Sequence, residues 1–296
     1  MDELDFSAPG QPKPAAPKPA APAPVPVPVY NVAMAMEFFR AGGKPEAVPA
    51  GTKFFEENQK AGFLKRDKMY LVLEGEVTLM AQGMPVGMVR IGEIFGEMAA
   101  ISDAPRTATA TARTACRVIA LDDKEFQKAL KIKPEFALML MSVMILRLRA
   151  MIARLAQNNS LAGSEASKES RVFDKATLAS LVKGLGEDNT ARFEQGRAIF
   201  REGTAGVMMY VLLEGRVAVS IKGNIVDRVG PGGVFGEMAL VDQSLRAASA
   251  VAEIDSVALG INRNLFLNLV KAHPDFGASL LGSVAERVRF MAARFK

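Results

Sequence analysis

Hydrophobic and polar residues alternate in short runs through much of this chain, and this period of two is typical of half-buried β-strands. The alternation is clearest in Glu76 to Leu79, and glycines stand between the runs, where they favour tight turns. In the first half of the chain, the runs that we predict as strands are Lys53 to Phe55, Met69 to Met80, Val86 to Val89, Thr107 to Ala112 and Arg117 to Leu121. The pattern therefore predicts several short antiparallel strands joined by tight turns.

Longer apolar segments flank these strands and predict helices. A short helical segment covers Met34 to Arg40, and Asp122 is typical of an N-cap for a helix from Lys124 to Lys131. Pro134 is favourable at a helix start, and the apolar run behind it predicts a helix that continues to about Gln157. Strands followed by helices predict an α+β, mainly β fold, with helices packed on one side of an antiparallel β-roll.

The same pattern occurs twice, with an offset of 140 residues. This offset superposes Tyr210 on Tyr70 and Pro274 on Pro134. The first copy carries five extra residues between Glu57 and Tyr70, in a basic loop. We expect this loop to be a solvated insertion, because lengthening a surface loop costs little; the alternative is a loop that contacts a partner. The repeat predicts two domains of one kind.

Composition divides the chain further. Residues 9–28 hold nine of the sixteen prolines, so we predict an extended tail over residues 1–30. The first domain should cover residues 31–160, a Ser- and Ala-rich linker residues 161–170, and the second domain residues 171–296. A helix from Val172 to Leu185 should open the second domain. The acidic and apolar tip of the tail, Asp2 to Phe6, is either a frayed terminus or a short docking peptide.

One stretch in each copy carries candidate binding chemistry. In both, a glutamate follows Phe-Gly and an arginine lies nine positions further on: Glu97 with Arg106, and Glu237 with Arg246. Glycine lets the backbone turn tightly, arginine matches phosphate oxygens, and an ionised glutamate accepts a hydrogen bond from a hydroxyl but repels phosphate. This pairing suits a small ligand that carries both a sugar and a phosphate.

The stretches F-G-E-M-A-A-I-S-D-A-P-R-T-A-T-A-T-A and F-G-E-M-A-L-V-D-Q-S-L-R-A-A-S-A-V-A resemble the phosphate-binding cassette of cyclic nucleotide-binding domains. That family includes the catabolite activator protein, the regulatory subunits of cAMP-dependent protein kinase and cyclic nucleotide-gated channels. The resemblance extends over residues 36–155 and 190–296. It implies two jelly-roll-like β-rolls that bind cAMP or cGMP as ligands, with no metal or other cofactor. The site residues that it implies are Phe95, Gly96, Glu97, Met98, Ala99, Pro105, Arg106 and Thr107 in site 1, and Phe235, Gly236, Glu237, Met238, Ala239, Leu245, Arg246 and Ala247 in site 2.

The resemblance also implies a role for the charged residues. Arg106 and Arg246, with backbone N–H groups of the cassette, would hold the cyclic phosphate, and Glu97 and Glu237 would accept a hydrogen bond from the ribose 2′-hydroxyl. The second copy departs from the pattern because Leu245 stands where the first copy has proline. We expect the arginine to keep its place despite this change.

The residue after each arginine bears on the choice of base. Thr107 follows the arginine of site 1, whereas Ala247 follows that of site 2. In the family, a hydroxyl there resembles sites that bond the guanine amino group, and alanine resembles cAMP sites. We therefore expect site 2 to prefer cAMP and site 1 to discriminate less.

Composition excludes several classes of function. One cysteine and one histidine make a disulfide framework, a Cys/His metal site and a Ser/His/Asp catalytic set implausible, so we expect no enzyme. The net charge of +5 is too mild to indicate nucleic-acid binding, and the N-terminus lacks the pattern of a signal peptide. The most apolar run, Phe136 to Leu146, is too short to cross a bilayer, so we expect a cytoplasmic protein without a membrane span.

These observations predict a tandem cyclic nucleotide receptor that signals to an unidentified cytoplasmic protein through movement of the helices after each roll. We expect no DNA-binding domain, because the second domain extends to Lys296. The alternative is an interaction or scaffold protein in which ligand binding is weak or lost.

Two helical features leave further alternatives open. The Met-rich stretch from Phe136 to Leu146 is either core or a partner face, including the interface of a homodimer. The arginines near the helix ends are expected to be solvated, since they complement the helix dipole there.

Overall fold

The computed structural model describes residues 30–60, 67–102, 104–157 and 170–292. The tail predicted for residues 1–30 and the linker predicted for residues 161–170 lie outside the described residues except for Tyr30 and Ser170, and so does the expected boundary between the domains.

The first roll is built from eight strands and four helices in the described residues. In chain order they are α1 (Val32–Gly42), β1 (Lys44–Val48), β2 (Lys53–Phe55), β3 (Met69–Glu74), β4 (Val77–Ala81), β5 (Met84–Val89), β6 (Ile94–Phe95), α2 (Glu97–Ser102), β7 (Thr109–Ala112), β8 (Cys116–Leu121), α3 (Asp123–Ile132) and α4 (Glu135–Gln157). The strands form two antiparallel sheets, in the orders β1-β8-β3-β6 and β2-β7-β4-β5.

The second roll repeats this plan. Its elements are α5 (Lys175–Leu185), a 3-10 turn (Glu187–Asn189), β9 (Thr190–Phe193), β10 (Ala198–Phe200), β11 (Met209–Glu214), β12 (Val217–Ile221), β13 (Asn224–Val229), β14 (Val234–Phe235), α6 (Glu237–Asp242), β15 (Ser249–Ala252), β16 (Ser256–Ile261), α7 (Arg263–Ala272) and α8 (Pro274–Ala292). Its antiparallel sheets run β14-β11-β16-β9 and β10-β15-β12-β13. The predicted fold, two antiparallel rolls with flanking helices, is confirmed.

Local sequence accounts for several helix starts. Asp122 caps α3 with a complete capping box, in which its side chain bonds the backbone N–H of Glu125 and the Glu125 side chain bonds back. The helix predicted from Val172 begins later, at Lys175, because Asp174 caps it by accepting from the N–H of Thr177. Strand β1 escaped prediction because its sequence, K-P-E-A-V, has a proline and no hydrophobic alternation; its pairing with β8 forms it.

The core has three parts. Each roll encloses an apolar interior of its own, and a third cluster joins the helices of both domains. In this shared cluster the ring of Phe136, at the start of α4, stacks on Phe38 of α1 at 3.7 Å between centroids. The helices α4 and α8 pack against each other, so the two domains share a continuous hydrophobic core.

The Met-rich stretch of α4 lies inside this core. Met139, Met141 and Met144 are at most 1% exposed, so the interpretation of this stretch as core is confirmed. A homodimer through this face, which the sequence left open, has no exposed methionine surface to use. The apolar segment is also longer than Phe136 to Leu146: within the described ranges one helix, Glu135–Ala153, is long and apolar enough to cross a membrane by length and composition, and 56% of it is buried. Burial in the shared core accounts for this composition.

Candidate functional site

The second residue of each cassette is a glycine that no other residue could replace without strain. Gly96 and Gly236 adopt φ of 77° and 78°, in the left-handed region, and lead from the short strands β6 and β14 into the helices α2 and α6. A Cβ at Gly96 would lie 2.9 Å from Nη1 of Arg106, and one at Gly236 would lie 2.8 Å from Nη1 of Arg246. The glycines are therefore needed both for the turn and for the close approach of the arginines.

The two arginines lie buried under their cassettes. Arg106 is 4% exposed and Arg246 is 5% exposed. Nη1 of each donates a hydrogen bond to the carbonyl of its cassette glycine, at 2.7 Å in site 1 and 2.8 Å in site 2. Each guanidinium also lies over an aromatic ring, at 4.0 Å from the centroid of Phe55 and 4.1 Å from that of Phe200. These contacts fix the fork in one orientation.

The backbone of each arginine is held by a second loop. Asn58 donates its backbone N–H to the carbonyl of Arg106, and Gly203 does the same for Arg246, at 2.9 Å in both rolls. Asn58 and Gly203 both have positive φ, 61° and 76°, and asparagine is among the residues that tolerate this conformation. The substitution of Pro by Leu before Arg246 leaves this geometry intact, as expected, and Leu245 itself is 57% exposed.

Both guanidinium groups keep a buried donor without a partner. Within the described residues, Nε of Arg106 and Nε of Arg246 are buried and make no hydrogen bond. Burial lowers the pKa of both arginines, and Asp67 partly offsets this for Arg106, yet a guanidinium stays charged at any physiological pH. A buried cation with an unmade hydrogen bond is costly, so an anion bound beside it would be stabilised.

The two sites differ in one neighbour of the arginine. In site 1, Oδ1 of Asp67 lies 2.8 Å from Nη2 of Arg106, and Nη2 also donates to the carbonyl of Lys68. Val207 stands at the corresponding position in site 2 and is 60% exposed. Sequence analysis missed this difference, although the offset of 140 residues pairs Asp67 with Val207 directly. Asp67 therefore partly neutralises the charge of Arg106 in site 1, whereas the corresponding residue of site 2, Val207, is uncharged.

The glutamates of the cassettes are buried and paired with arginines from the helices after the rolls. Glu237 is 3% exposed, and its Oε1 accepts a hydrogen bond from Nη1 of Arg287 at 2.6 Å. Glu97 is 9% exposed, and its Oε1 lies 3.4 Å from Nη1 of Arg147. The expectation that such arginines are merely solvated is wrong for Arg287, whose side chain is only 23% exposed. Each arginine therefore holds Oε1 of its glutamate, and a carboxylate has capacity to accept further hydrogen bonds.

Arg287 is also tied to its own roll. Its Nη2 donates to the carbonyl of Val234 at 2.6 Å and lies 3.6 Å from Oδ2 of Asp227. Burial by itself lowers the pKa of Arg287, but Glu237 and Asp227 outweigh it and raise that pKa. For the acid Asp227 burial has the opposite sign: it raises the pKa, and the lowering effects of Arg287 and Ser170 do not fully offset it. Helix α8 is therefore anchored electrostatically at the edge of site 2.

Site 2 opens into a cavity of about 990 Å³, which falls within the range of small-molecule sites. The predicted residues that line it are Phe235, Gly236, Glu237, Met238, Ala239, Arg246 and Ala247. Its lining combines charged side chains, such as those of Arg246 and Glu237, with apolar ones, such as those of Phe200 and Val219. In site 1, Phe95, Glu97, Ala99 and Arg106 are buried, Gly96, Met98 and Pro105 are half-buried, and Thr107 is exposed.

Comparison with known proteins agrees with this geometry. The family described as "Cyclic nucleotide-binding domain" matches residues 45–133 and 190–273, more than half of the chain. The cAMP-dependent protein kinase regulatory subunit of Eremothecium gossypii is 28% identical over 187 residues, which cover 63% of this chain and 36% of that protein. The cGMP-dependent protein kinase egl-4 of Caenorhabditis elegans is 26% identical over 69% of this chain and 24% of that protein. The chain thus spans about a third or less of the length of these relatives.

A shorter match and one solved structure complete the comparison. The cyclic AMP receptor protein of Thermus thermophilus is 33% identical over 102 residues, 33% of this chain and 47% of that protein. The regulatory domain of Toxoplasma gondii PKA, solved with cAMP, is 22% identical with a TM-score of 0.28, and the alignment covers 83% of this chain and 86% of that one.

Proposed function

Since this chain belongs to the cyclic nucleotide-binding domain family, we propose that each of its rolls holds one cyclic nucleotide and that the chain is a receptor rather than an enzyme. One observation carries this proposal: each roll holds a buried arginine together with a buried glutamate. Within the described residues, the Nε–H group of each of these arginines has no hydrogen-bond partner. A cation and an acceptor-only anion held side by side favour a ligand with an anionic group and a neutral hydroxyl donor. A cyclic nucleotide has both.

The phosphate would lie against the arginine. In each cassette, Arg106 or Arg246 supplies the charge, and the residues around Gly96 or Gly236 supply backbone N–H groups at close range. Glycine at this position leaves room for the ligand as well as for the guanidinium. The proposed contacts of the phosphate are therefore charge-assisted hydrogen bonds in a mostly buried setting, which is where such bonds are strongest.

The sugar would lie against the glutamate. Glu97 and Glu237 would accept a hydrogen bond from the ribose 2′-hydroxyl, while Arg147 and Arg287 hold the carboxylates in place. An ionised carboxylate repels phosphate, so the pair also fixes which end of the ligand enters. The remaining proposed site residues, Phe95, Met98, Ala99, Pro105 and Thr107 in site 1 and their counterparts in site 2, would shape the cassette around the ligand.

The kinase relatives are named for cAMP and for cGMP, so both are proposed as ligands. The site also supports a second candidate function at one position. Asp67 already pairs with Arg106 at 2.8 Å, so site 1 should bind a cyclic nucleotide weakly, as the scaffold alternative requires. Site 2 has Val207 at this position and therefore lacks the competing carboxylate. The leading proposal remains two sites of unequal affinity.

The proposed output is a change in how the chain contacts another protein. A ligand shifts a protein only through contacts that differ between two states, and α4 and α8 supply such contacts through Arg147 and Arg287. The signalling partner, its cytoplasmic location and the division into domains at residues 31–160 and 171–296 remain predictions. Pull-downs with and without cAMP, using the full chain and a chain that starts at Tyr30, would test the partner and the contribution of the tip from Asp2 to Phe6.

Calorimetry on arginine variants tests the binding proposal. Removing one partner of a buried charged contact costs about 2–5 kcal/mol, which is about 30-fold to several thousandfold in affinity. We expect Arg106→Ala and Arg246→Ala to remove one binding event each and the double variant to remove both. Arg40→Ala and Arg192→Ala, at exposed arginines of the two domains, are the matched controls. A double variant that binds cAMP and cGMP like the wild type would contradict the assignment.

A further inference from the structure

Strand β5 forms one edge of a sheet in the first roll and carries exposed apolar side chains. Among the described strands it pairs with β4 alone. Met84, Val86 and Met88 of β5 are between 39% and 63% exposed, and so is Ile91 just after the strand. Natural proteins usually protect or cover such an edge, because an exposed apolar strand offers its unpaired backbone groups to any other segment.

The corresponding edge of the second roll is less exposed and more polar. The offset of 140 residues superposes β13 on β5, with the same pairing register and the same bulge. Asn224 and Arg228 stand where the first roll has Met84 and Met88, and residues 224–228 are all half-buried. Two rolls of one plan therefore differ in how this edge is protected.

In the second roll, the chain that enters the domain pairs with this edge. Ser170 forms a parallel bridge with Val229. The backbone N–H of Ser170 donates to the carbonyl of Arg228 at 2.8 Å, and its carbonyl accepts from the N–H of Gly230 at 3.4 Å. The same offset places Tyr30, the first described residue, at the position of Ser170. The segment before Tyr30 thus corresponds to the segment that approaches the edge in the second roll.

Tyr30 holds the start of the described chain against the end of β5. Its hydroxyl donates to the carbonyl of Gly92 at 2.7 Å, and a Cβ at Gly92 would lie 2.6 Å from Cγ1 of Val32. Burial, with smaller effects of Glu93 and Glu97, raises the pKa of Tyr30, so this hydroxyl keeps its proton at physiological pH. The residues before Tyr30 are therefore attached close to the exposed edge.

Residues 24–29 have a sequence that suits an edge position. They read P-V-P-V-P-V. In an extended strand the N–H groups of alternate residues point to the same side, and proline has no N–H. Val25, Val27 and Val29 would therefore offer all their donors to one neighbouring strand, while the prolines would leave the outer side without donors. This is the arrangement in which proline is tolerated in a sheet, and it discourages the addition of a further strand.

We propose that residues 24–29 lie parallel to β5 along its open side and cover its exposed apolar side chains. The separation between the bridged residues of the second roll, Ser170 and Val229, sets Val27 beside Val86 when it is applied here. Both segments have six residues and so extend about 20 Å, which matches the cover to the full length of β5. The proposal does not rest on nucleotide binding, and its tests use nucleotide-free protein.

Oxidation of methionine by dilute hydrogen peroxide, followed by mass spectrometry, measures whether Met84 and Met88 are covered. We compare the full chain with a chain that starts at Tyr30 and so lacks the proposed cover. Both methionines should oxidise at least about threefold more slowly in the full chain, the factor for a segment that covers the edge about two thirds of the time. Met208, a half-buried residue of the second roll, is the control and should oxidise at one rate in both chains.

A full-length variant separates the apolar contact from the mere presence of a tail. The triple change Val25→Ser, Val27→Ser and Val29→Ser keeps the length and the prolines but removes the apolar side chains. Its Met84 and Met88 should oxidise nearly as fast as in the chain that starts at Tyr30, because burial of these valines is what holds the segment in place.

A disulfide tests the register. The background is Cys116→Ser, which removes the native thiol and introduces the residue that the second roll has at Ser256. In it, Val27→Cys with Val86→Cys should form an intramolecular disulfide under mild oxidation, because adjacent strands bring the two Cβ atoms within reach. Ala21→Cys with Val86→Cys, six positions out of register, is the control and should react at least about tenfold more slowly.

Three outcomes would overturn the proposal. Equal oxidation of Met84 and Met88 in the full and shortened chains would mean that the edge is open in both. Slow oxidation in the shortened chain that becomes faster on dilution would assign the edge to a second copy of this chain. Equal disulfide rates for the two cysteine pairs would exclude the parallel register. Thermal unfolding of each variant identifies any that fails to fold, in which case the cysteine pairs in the full chain decide.

Discussion

Replacing Asp67 with valine should strengthen site 1. This change gives site 1 the residue that site 2 has naturally at Val207. In the native chain, Oδ1 of Asp67 lies 2.8 Å from Nη2 of Arg106, and Oδ2 is buried without a hydrogen-bond partner among the described residues. A phosphate that binds the same guanidinium must approach this carboxylate and share the cation that Asp67 pairs with, so the native residue opposes the ligand.

The magnitude follows from the geometry. A phosphate on the outer face of the guanidinium of Arg106 would lie on the order of 5 Å from the carboxylate of Asp67. Two like unit charges at that distance repel by about 3 kcal/mol at the effective dielectric constant typical of a protein surface, and by about 1 kcal/mol in bulk water. The site lies between these limits, so we expect affinity to rise by about fivefold to 150-fold.

An opposing effect is smaller. Asp67 also helps to orient the guanidinium, but the bonds to the carbonyls of Gly96 and Lys68 and the contact with the ring of Phe55 remain when it is removed. In site 2 the arginine holds the same position over its ring without any carboxylate at this place. Relief of repulsion should therefore outweigh loss of orientation.

Calorimetric titration with cAMP in an Arg246→Ala background isolates site 1. Asp67→Asn, which removes the charge but keeps the shape, should reproduce most of the gain. The reciprocal change, Val207→Asp in an Arg106→Ala background, should weaken site 2 by a comparable factor. Weaker or unchanged binding in both Asp67 variants would refute the electrostatic reasoning and assign Asp67 a positioning role.

Three further predictions address base choice, backbone geometry and stability. Exchanging Thr107 and Ala247 should shift the ratio of cGMP affinity to cAMP affinity by about twofold to tenfold, downward at site 1 and upward at site 2, since one hydroxyl contact is worth ~0.5–1.5 kcal/mol. Titrations of both ligands that give the wild-type ratio at each site would reject this. Gly236→Ala should lower stability by about 1–2 kcal/mol and also remove ligand binding at site 2. Its control is Gly223→Ala, because Gly223 also has a positive φ, 81°, but a Cβ there would have nothing within 4 Å, so this variant should lose stability alone. If both variants bind ligand equally well at site 2, the close contact between Gly236 and Arg246 does not matter for binding. Asp122→Ala should lower the free energy of unfolding by about 1 kcal/mol in urea without changing affinity, and an unchanged midpoint would mean that the cap is dispensable.

The local features of this protein could be predicted from the order of its residues. Strand alternation, caps such as Asp122 and the positive-φ glycines depend on residues within a few positions of one another, so they could be read directly. The cassette was accessible for the same reason: the glutamate and arginine of each site lie nine positions apart, and the repeat displays them twice. The presence of two like domains followed from that repeat, and the fold class followed from the order of predicted strands and helices.

The partners that the charged and apolar groups meet depend on how distant parts of the chain pack together. The bond from Arg289 to the carbonyl of Pro105 joins residues 184 positions apart, and the bond from Arg287 to Glu237 spans 50 positions. Neither has a local signature, since an arginine near a helix end suits solvent as well as a buried carboxylate. The Met-rich face of α4 was ambiguous because an apolar helix face suits a core and an interface equally, and packing against α8 resolved it. The physical reason is common to all three: periodicity shows which face of an element is apolar, but only the packing of whole helices determines what covers it.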